Sequence, residues 1–413
     1  MPTRSGPVLF LGGVFLLYCL ATVSGALPFH ADSQLQPMFD ARPVGWLGAD
    51  CSTSIAMEPS NGECQRVLWL FGDTLIGNLT DNGKQRDWKY FIHNSVSITE
   101  VCGGKPPSPS EVPFYWGKDS NNNPFALFNP PDVANGSYYW VTAGVSLSPT
   151  QLALTAYVVT NVNGFSILRT DLILVSNANE PPTSWVYTTH AVPFSSPSRY
   201  FAVSMAYAKD AENVIYIVSQ HEPAASNYAA ISRVHSSDLI TANFSAWEHW
   251  SLLPGESTPT WSLQSNESLE NVVHLFSPFV AESSLVYVAS MKKWLMPLAF
   301  PLDSRHLYLR MAGEPTGPWT DSMDVYDIPL PFSNTTLFDS YAAKLHPTLF
   351  TASTPLVMTY NTNTWTLDDV SKYSYIYVPR FVSTLTNVQS SEQPLLPSND
   401  NGKIHQLKGS PAS

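Results

Sequence analysis

Three acidic residues have the types and positions that sugar hydrolysis requires. Asp73 follows the apolar run Val67 to Phe71 in the sequence LWLFGDT, and Asp50 lies upstream in WLGADCSTSI. Glu282 lies far later, in FVAESSLVYV. In glycosidases one carboxyl group protonates the leaving oxygen, and a second one activates water or attacks the sugar. An Asp at a strand end also commonly caps a turn, so each acid alone has a structural alternative.

These acids need a scaffold that brings them together, and a repeat in the chain predicts one. An aromatic or aliphatic strand recurs about every 70 residues. Short strands, 34 prolines and almost no helical periodicity indicate an all-β protein. We predict a five-bladed β-propeller over residues 27–388, with about 70 residues in each four-stranded blade and a pair of β-sandwiches as the alternative. The five anchor strands contain Trp69, Trp140, Tyr216, Trp294 and Met358.

The innermost strands of a propeller line its central channel, so residues distant in sequence can meet there. We expect the innermost strand of each blade to precede its anchor strand. Glu282 and His346 each lie 12 residues before an anchor residue, and Asp50 lies somewhat farther before Trp69. We therefore predict that these three residues share one ring. The predicted catalytic set is Asp50, Asp73 and Glu282, because acids gathered in one pocket shift each other's pKa values.

Several polar residues near these motifs are candidates for binding sugar hydroxyl groups. His93 and Asn94 lie in FIHNSVS, His346 precedes Pro347, and Asn363 ends TYNTN. Structural roles in the sheet, in the core or in turns are the alternatives. We predict these four residues, His93, Asn94, His346 and Asn363, to be substrate-binding.

Composition narrows the range of partners. The net charge is −12, and charged residues make up only 13% of the chain. A nucleic acid or an anionic membrane would require a basic face, whereas a neutral polysaccharide or oligosaccharide is compatible with this charge. The sequence has no glycine-rich phosphate loop, no His-Glu-x-x-His and no Gly-x-Ser-x-Gly. We therefore predict a monomeric protein without a cofactor or a metal ion.

The N-terminal segment predicts secretion. An apolar run from Val8 to Val23 is followed by Ser-Gly-Ala, which fits a cleaved signal peptide over residues 1–26, with an uncleaved membrane anchor as the alternative. We expect a secreted, extracellular glycoprotein, and residues 389–413 are predicted to be a disordered tail. Five Asn-x-Ser/Thr triplets are candidates for N-glycosylation, at Asn78, Asn135, Asn243, Asn266 and Asn334.

Three cysteines remain after the predicted cleavage: Cys51, Cys64 and Cys102. An oxidising compartment favours one disulfide and one remaining thiol. We prefer the pair Cys51–Cys64, which closes a short loop. The pairs Cys51–Cys102 and Cys64–Cys102 stay open.

The order of the motifs resembles a known family. GADCSTS, LWLFGDT, FIHNSV, AESSLVY, KLHP, TYNTN and YVPRFV follow one another over roughly residues 44–385. This set resembles a family of secreted five-bladed β-propellers of formerly unknown function that includes bacterial endo-D-arabinanases. The resemblance implies a glycoside hydrolase with Glu282 as general acid, Asp50 as base or nucleophile, and Asp73 positioning the substrate or tuning a pKa. It also implies a furanose-containing, arabinan-like polysaccharide as substrate. A non-catalytic carbohydrate-binding propeller and an extracellular interaction scaffold are the alternatives, since propellers host all three functions.

Overall fold

A computed structural model describes residues 27–57, 64–103, 105, 107–132, 135–162, 164–209, 213–221, 227–263, 269–300, 305–329, 339–364 and 366–384. The predicted signal peptide, the predicted tail and the sequons at Asn266 and Asn334 lie outside these residues. The described part is nearly all β, with two short helices, α1 (Ser236–Leu239) and α2 (Leu367–Lys372). Neither helix is long and apolar enough to cross a bilayer.

Five antiparallel sheets of four or five strands follow one another along the chain. Sheet 1 contains β3 (Thr53–Ala56), β4 (Gln65–Phe71), β7 (Ser95–Val101) and β8 (Phe114–Tyr115). Sheet 2 contains β11 (Ser137–Ser148), β12 (Gln151–Thr160), β13 (Ser166–Val175) and β14 (Tyr187–Ala191). Sheet 3 contains β15 (Arg199–Tyr207), β16 (Val214–His221), β17 (Tyr228–His235), β18 (Glu248–Ser251) and β19 (Thr260–Leu263). Sheet 4 contains β20 (Val286–Val288), β21 (Lys293–Leu298), β22 (His306–Ala312) and β23 (Met323–Asp327).

Sheet 5 combines the two ends of the described chain. Its strands are β24 (Asp339–Leu345), β25 (Val357–Asn363), β26 (Arg380–Ser383) and, at the edge, β1 (His30–Ala31). Two smaller sheets complete the set. One contains β2 (Val44–Ala49), β5 (Thr74–Thr80) and β6 (Gln85–Ile92), and the other pairs β9 (Gly117–Lys118) with β10 (Pro124–Phe125).

Apolar cores lie between neighbouring sheets. Strand β12 is buried along almost its whole length, because both of its faces are covered. One core joins sheets 1 and 2, and others join sheets 2 and 3, 3 and 4, and 4 and 5. A fifth core joins sheet 5 back to sheet 1, through Phe381 and Val357 against Trp69 and Phe71. Each fully buried large side chain contributes about 1.5–3 kcal/mol to this packing.

Residues on the first strands of the five sheets, or directly beside them, are also connected by hydrogen bonds. Side-chain hydroxyl groups and one imidazole bridge each sheet to the next, and the last bond returns from sheet 5 to sheet 1. The bonds are Thr53 Oγ1 to Thr142 O (2.8 Å), Thr142 Oγ1 to Ala202 O (3.1 Å), Leu285 N to Ser204 Oγ (2.8 Å), Leu345 N to Ser284 Oγ (2.9 Å) and His346 Nδ1 with Ser54 Oγ (2.9 Å).

One part of the predicted strand order is wrong. The anchor residues Trp69, Tyr216, Trp294 and Met358 lie on second strands, as predicted. Trp140 lies instead on β11, the first strand of sheet 2. Strand β11 has 12 residues and is largely apolar, so its pattern imitates a buried second strand.

The disulfide joins Cys64 to Cys102, so the preferred pair Cys51–Cys64 is wrong. Gln65 pairs with Val101 across β4 and β7, which places the two neighbouring cysteines opposite each other. Cys51 precedes the other end of the β3–β4 ladder, where Thr53 pairs with Leu70, and its thiol is free.

Replacing both Cys64 and Cys102 by serine is expected to lower the free energy of unfolding by about 4 kcal/mol, because the bond closes a loop with a sequence separation of 38. Urea unfolding of the double variant and of the wild-type protein measures this difference. A non-reducing peptide map supplies the control. A linked peptide pair that contains Cys51 would contradict the assignment.

Candidate active site

Asp50 lies between β2 and β3 and is bound by two tyrosine hydroxyl groups. Tyr341 donates to Oδ1, and Tyr377 donates to Oδ2 at 2.8 Å. Gly48 permits the approach of the segment that carries Tyr377, since a Cβ atom on Gly48, at φ +151°, would lie 2.3 Å from the Tyr377 carbonyl oxygen. Asp50 is partly exposed, whereas Tyr377 is buried. The carboxyl group is therefore held in one orientation at the start of the first strand of sheet 1.

Asp73 lies in the turn between β4 and β5, directly beside Asp50. The Asp50 N–H donates to the Asp73 carbonyl at 3.0 Å, which couples the two backbones. On the side chain, Oδ1 accepts from Trp140 Nε1 at 2.9 Å and lies 2.9 Å from His93 Nδ1. Tyr377 also donates to the Asp73 carbonyl oxygen, at 3.2 Å. Sheets 1, 2 and 5 thus all contribute to holding the Asp50–Asp73 pair.

Glu282 reaches the same place from sheet 4, where it precedes β20. The Cys51 thiol donates to Glu282 Oε1 at 2.8 Å. Cys51 has a left-handed backbone, with φ 56°, a conformation that residues other than glycine adopt uncommonly. This backbone conformation directs the thiol toward sheet 4. Because Cys51 directly follows Asp50 in the sequence, its hydrogen bond links the Asp50 segment to Glu282.

Burial and mutual repulsion control the charge of the acids. Burial raises the pKa of Asp50 well above its ordinary value, and the neighbouring Asp73 and Glu282 raise it further against the effect of the two tyrosine hydrogen bonds. Burial also raises the pKa of Glu282, against the effects of the Cys51 hydrogen bond and of Lys344. Because like charges in one pocket disfavour full ionisation, the cluster holds a proton to higher pH than isolated carboxyl groups would.

Lys344 supplies a positive charge behind Glu282. Its side chain is only 2% exposed, and its Nζ donates to the Ser283 carbonyl at 2.6 Å. Burial lowers the pKa of Lys344, while the neighbouring Cys51 and Glu282 raise it. A buried ammonium group beside an acid stabilises the ionised carboxylate that remains after proton donation.

Stability is expected to fall as pH rises through the raised pKa values of Asp50 and Glu282. The unfolded chain loses these protons near the ordinary carboxyl pKa of about 4, whereas the folded chain keeps them to higher pH. The stabilisation of the folded state by these two protonated carboxyl groups is therefore complete below the unfolded pKa. It is lost as pH rises from there through the raised pKa values of the folded chain. Buried His346 and His221 act in the opposite direction, because burial lowers the pKa of each to about 3.

The measurement is therefore a difference between two proteins. Urea unfolding from pH 5 to pH 8 is compared for the wild-type protein and Asp50→Asn, which share the histidine contribution. The free energy of unfolding of Asp50→Asn should decline less with pH. Parallel profiles would contradict the raised pKa of Asp50.

Two of the residues predicted to bind substrate belong to the core. Asn94 is 0% exposed; its amide donates to the carbonyls of Phe128 and Tyr139 and accepts from the Phe128 N–H. His346 is also 0% exposed, and its nitrogens lie 2.9 Å from Ser54 Oγ and 2.7 Å from Thr359 Oγ1. Neither side chain is accessible to a ligand, so both predictions are wrong.

The other two predicted binding residues have different surroundings. His93 is partly exposed beside Asp73, as described above. Asn363 is partly exposed at the end of β25, and its Oδ1 accepts from the Thr364 N–H at 2.7 Å. A role in substrate binding stays a prediction for both.

The sequence interpretation missed Tyr341, Tyr377, Lys344 and Trp140 as parts of the site. Tyr377 and Lys344 stand in YVPRFV and KLHP, two of the motifs quoted above, so a signal was present. Buried tyrosine and lysine side chains form hydrogen bonds, but the sequence does not show which residue is the partner, because the partners are distant in the chain.

Within the described part of the chain, a group of residues that could hold a metal ion lies outside the cluster of Asp50, Asp73 and Glu282. His306, Asp324 and Asp327 offer ligand atoms within 4.8 Å of one another on β22 and β23. The side chains of the two acids are 49% and 78% exposed. This group is not part of the cluster around Asp50, where phenol, thiol and ammonium groups surround the acids.

Comparison with protein families places the chain in a family without an assigned function. The family model described as "Domain of unknown function (DUF5005)" matches residues 32–386. No curated protein matches the chain. Among solved structures, a candidate hydrolase from Bacteroides ovatus ATCC 8483 is similar in fold, with a TM-score of 0.64 at 17% identity over 86% of this chain and 89% of that one.

Two glycoside hydrolases are more distant in structure. The catalytic domain of the GH62 α-L-arabinofuranosidase of Coprinopsis cinerea has a TM-score of 0.42 at 12% identity, over 89% of this chain and all of that chain (100%). An exo-β-1,3-galactanase from Phanerochaete chrysosporium has a TM-score of 0.42 at 10% identity, over 82% of this chain and 63% of that chain.

Proposed function

Because the chain belongs to the family described as Domain of unknown function (DUF5005), whose name assigns no activity, we propose a function from its own site. The protein is a secreted glycoside hydrolase that cleaves a furanose-containing, arabinan-like polysaccharide. The observation that carries this proposal is the convergence of Asp50 and Asp73 with Glu282, from distant parts of the sequence, into one cluster in which the pKa values of Asp50 and Glu282 are raised.

The arrangement supports specific roles for the acids. Glu282 acts as general acid: its raised pKa keeps a proton available, and Lys344 stabilises the carboxylate left after donation. Asp50 acts as base or nucleophile in its ionised form, which the hydrogen bonds from Tyr341 and Tyr377 to its two oxygens favour against the raising effects of burial and of the neighbouring acids. Asp73 positions the substrate and, by its charge, raises the pKa of Asp50. A proton donor and a second carboxyl group are what glycoside hydrolysis requires.

The proposed scaffold is a five-bladed β-propeller in which sheets 1 to 5 are the blades. The five shared cores and the hydrogen bonds that lead from sheet 1 through sheet 5 and back to sheet 1 support this arrangement. The acids then lie at one mouth of the central channel. An open cavity of about 270 Å³, lined by the first strands of all five sheets, lies farther along the same strands.

The proposal of secretion rests on the predicted signal peptide and on the disulfide. Asn135 and Asn243 are exposed, and Asn78 is half-buried, which favours the first two as glycosylation sites. We propose that the mature protein is a monomer that contacts neither membrane nor nucleic acid.

The direct test is incubation of the purified protein with a panel of polysaccharides: linear arabinan, mycobacterial arabinogalactan and β-1,3-galactan. We expect new reducing ends from an arabinose-containing polymer and not from galactan. Retention on one polymer without any release of sugar would favour a carbohydrate-binding propeller. Neither release nor retention on any polymer would reject the proposal.

A further inference from the structure

A row of aromatic rings extends outward from Asp73 on both sides. We define it as the aromatic strip: Phe91, His93, Tyr138, Trp140 and Phe165. Consecutive ring centroids are 5.8 Å, 3.6 Å, 6.2 Å and 5.3 Å apart, and the rings of His93 and Tyr138 are stacked at 14°. The strip therefore joins β6 of the small three-stranded sheet to β11 of sheet 2 and to the segment before β13.

The two ends of the strip lie open to solvent. Phe91 is 41% exposed and Phe165 is 59% exposed, His93 and Trp140 between them are partly exposed, and Tyr138 at the centre is buried. Exposed phenylalanines at both ends of an aromatic row are a feature of ligand-binding faces, because water contact with such rings is unfavourable.

Asp73 adds a polar group at the middle of the strip. Its Oδ1 already has Trp140 and His93 as neighbours. Its Oδ2 has no hydrogen-bond partner within the described part of the chain, although the side chain is only 12% exposed. This oxygen can accept a hydrogen bond from a hydroxyl group of a ligand that lies on the rings.

A sugar chain matches this combination of groups. Sugar rings present C–H faces that pack on aromatic rings and hydroxyl groups that bind a carboxylate. The acids beside the strip, Asp50, Asp73 and Glu282, repel an anionic ligand. A neutral glycan is therefore the complementary partner. Because the exposed rings stand on opposite sides of Asp73, the ligand has to extend in both directions from it.

We propose that the aromatic strip is a glycan-binding subsite that holds at least two consecutive sugar residues, so that the enzyme recognises the interior of a polymer and not only its end. This inference rests on the proposed function, and it adds the binding mode. Four of the five rings of the strip are exposed or partly exposed, unlike Asn94 and His346, the two predicted binding residues that lie in the core.

The test compares two strip variants, Phe91→Ala and Phe165→Ala, with a control in which an exposed apolar residue is removed elsewhere. Leu263→Ala is that control, because Leu263 is 64% exposed on β19 at the edge of sheet 3. Affinity electrophoresis in gels that contain linear arabinan or arabinogalactan gives the dissociation constant. Initial rates are measured on the same polymers and on 4-nitrophenyl α-L-arabinofuranoside, which carries a single sugar residue.

We expect each strip variant to bind the polymer about three- to tenfold more weakly, which is the effect of one lost aromatic contact. KM for the polymer should rise by the same factor, with the rate on the nitrophenyl glycoside and all properties of Leu263→Ala unchanged. Wild-type affinity in both strip variants would overturn the inference while leaving hydrolysis intact. Binding that depends on the strip but leads to no hydrolysis would reject the proposed function alone, and absence of binding to every polymer would reject both.

Discussion

Replacing Glu282 by glutamine is expected to lower kcat on a polysaccharide substrate by at least about a hundredfold, since proton transfer by a positioned acid contributes about 10²- to 10⁴-fold. Glutamine preserves the size of the side chain and an acceptor for the Cys51 thiol, 2.8 Å from the present carboxyl oxygen. The loss therefore reports the missing proton and not a disturbed fold. Asp50→Asn is expected to cause a loss at least as large.

A substrate whose leaving group needs no proton distinguishes the general acid, Glu282, from the base or nucleophile, Asp50. The 2,4-dinitrophenolate group of a 2,4-dinitrophenyl glycoside leaves without protonation, so Glu282→Gln should regain most of its activity on this substrate, whereas Asp50→Asn should not. Recovery in Asp50→Asn alone would exchange the roles of the two acids. The control is Glu314→Gln, because this side chain is 61% exposed and its bond to Lys209 lies at the surface. Wild-type rates in both acid variants would end the assignment of the site.

Arg86→Met is expected to lower the free energy of unfolding by about 3–5 kcal/mol, because it leaves several buried carbonyl groups without a donor. Arg86 is only 4% exposed, and its guanidinium group makes five hydrogen bonds of 2.5–2.9 Å. The acceptors are the carbonyl oxygens of Leu47, Val370, Tyr373, Ser374 and Ile376.

The same substitution is expected to reduce activity in the molecules that remain folded. Ile376 directly precedes Tyr377, which donates to both Asp50 and the Asp73 carbonyl. Loss of the guanidinium group therefore releases the segment that orients Asp50. Arg86→Lys should give an intermediate loss of stability, since an ammonium group cannot match the planar fork of five donors.

Urea unfolding and residual activity are measured together for these variants. Arg66→Met is the matched control, because Arg66 is partly exposed on β4 and its side chain has no hydrogen bond in the described part of the chain. Equal stability of Arg86→Met and Arg66→Met would show that the five hydrogen bonds contribute little.

The sequence predicted the sheets better than it predicted the orientation of individual side chains. An apolar strand recurs about every 70 residues because each sheet has to bury both faces against its neighbours. That requirement produces a pattern that the sequence alone shows. Trp140 shows the limit of this reasoning. Its apolar strand has the pattern of a buried second strand. In the structure Trp140 lies on the first strand of sheet 2, and its indole N–H donates to Asp73 Oδ1.

Polar residues within apolar strands were the main source of error in the candidate site. Asn94 and His346 stand in apolar surroundings, where a functional role and an internally satisfied hydrogen-bonding role give the same pattern. The acids were predicted to meet because their strands are equivalent in the repeat. The partners that orient them, Tyr341 and Tyr377, follow from loop conformations that the repeat does not determine.

The pairing of β1 with β26 determines when the molecule can be completed. His30 pairs with Ser383, so the first of the described strands takes the last of them as its partner. Until β26 is synthesised, β1 has no strand partner among the described strands, and sheet 1 lacks the core that it shares with sheet 5. Closing so long a segment is costly in entropy and slow, because contacts distant in sequence form late. A nascent or truncated chain without β26 therefore exposes the apolar surface around Trp69 and Phe71, which favours aggregation or chaperone binding before the fold is complete.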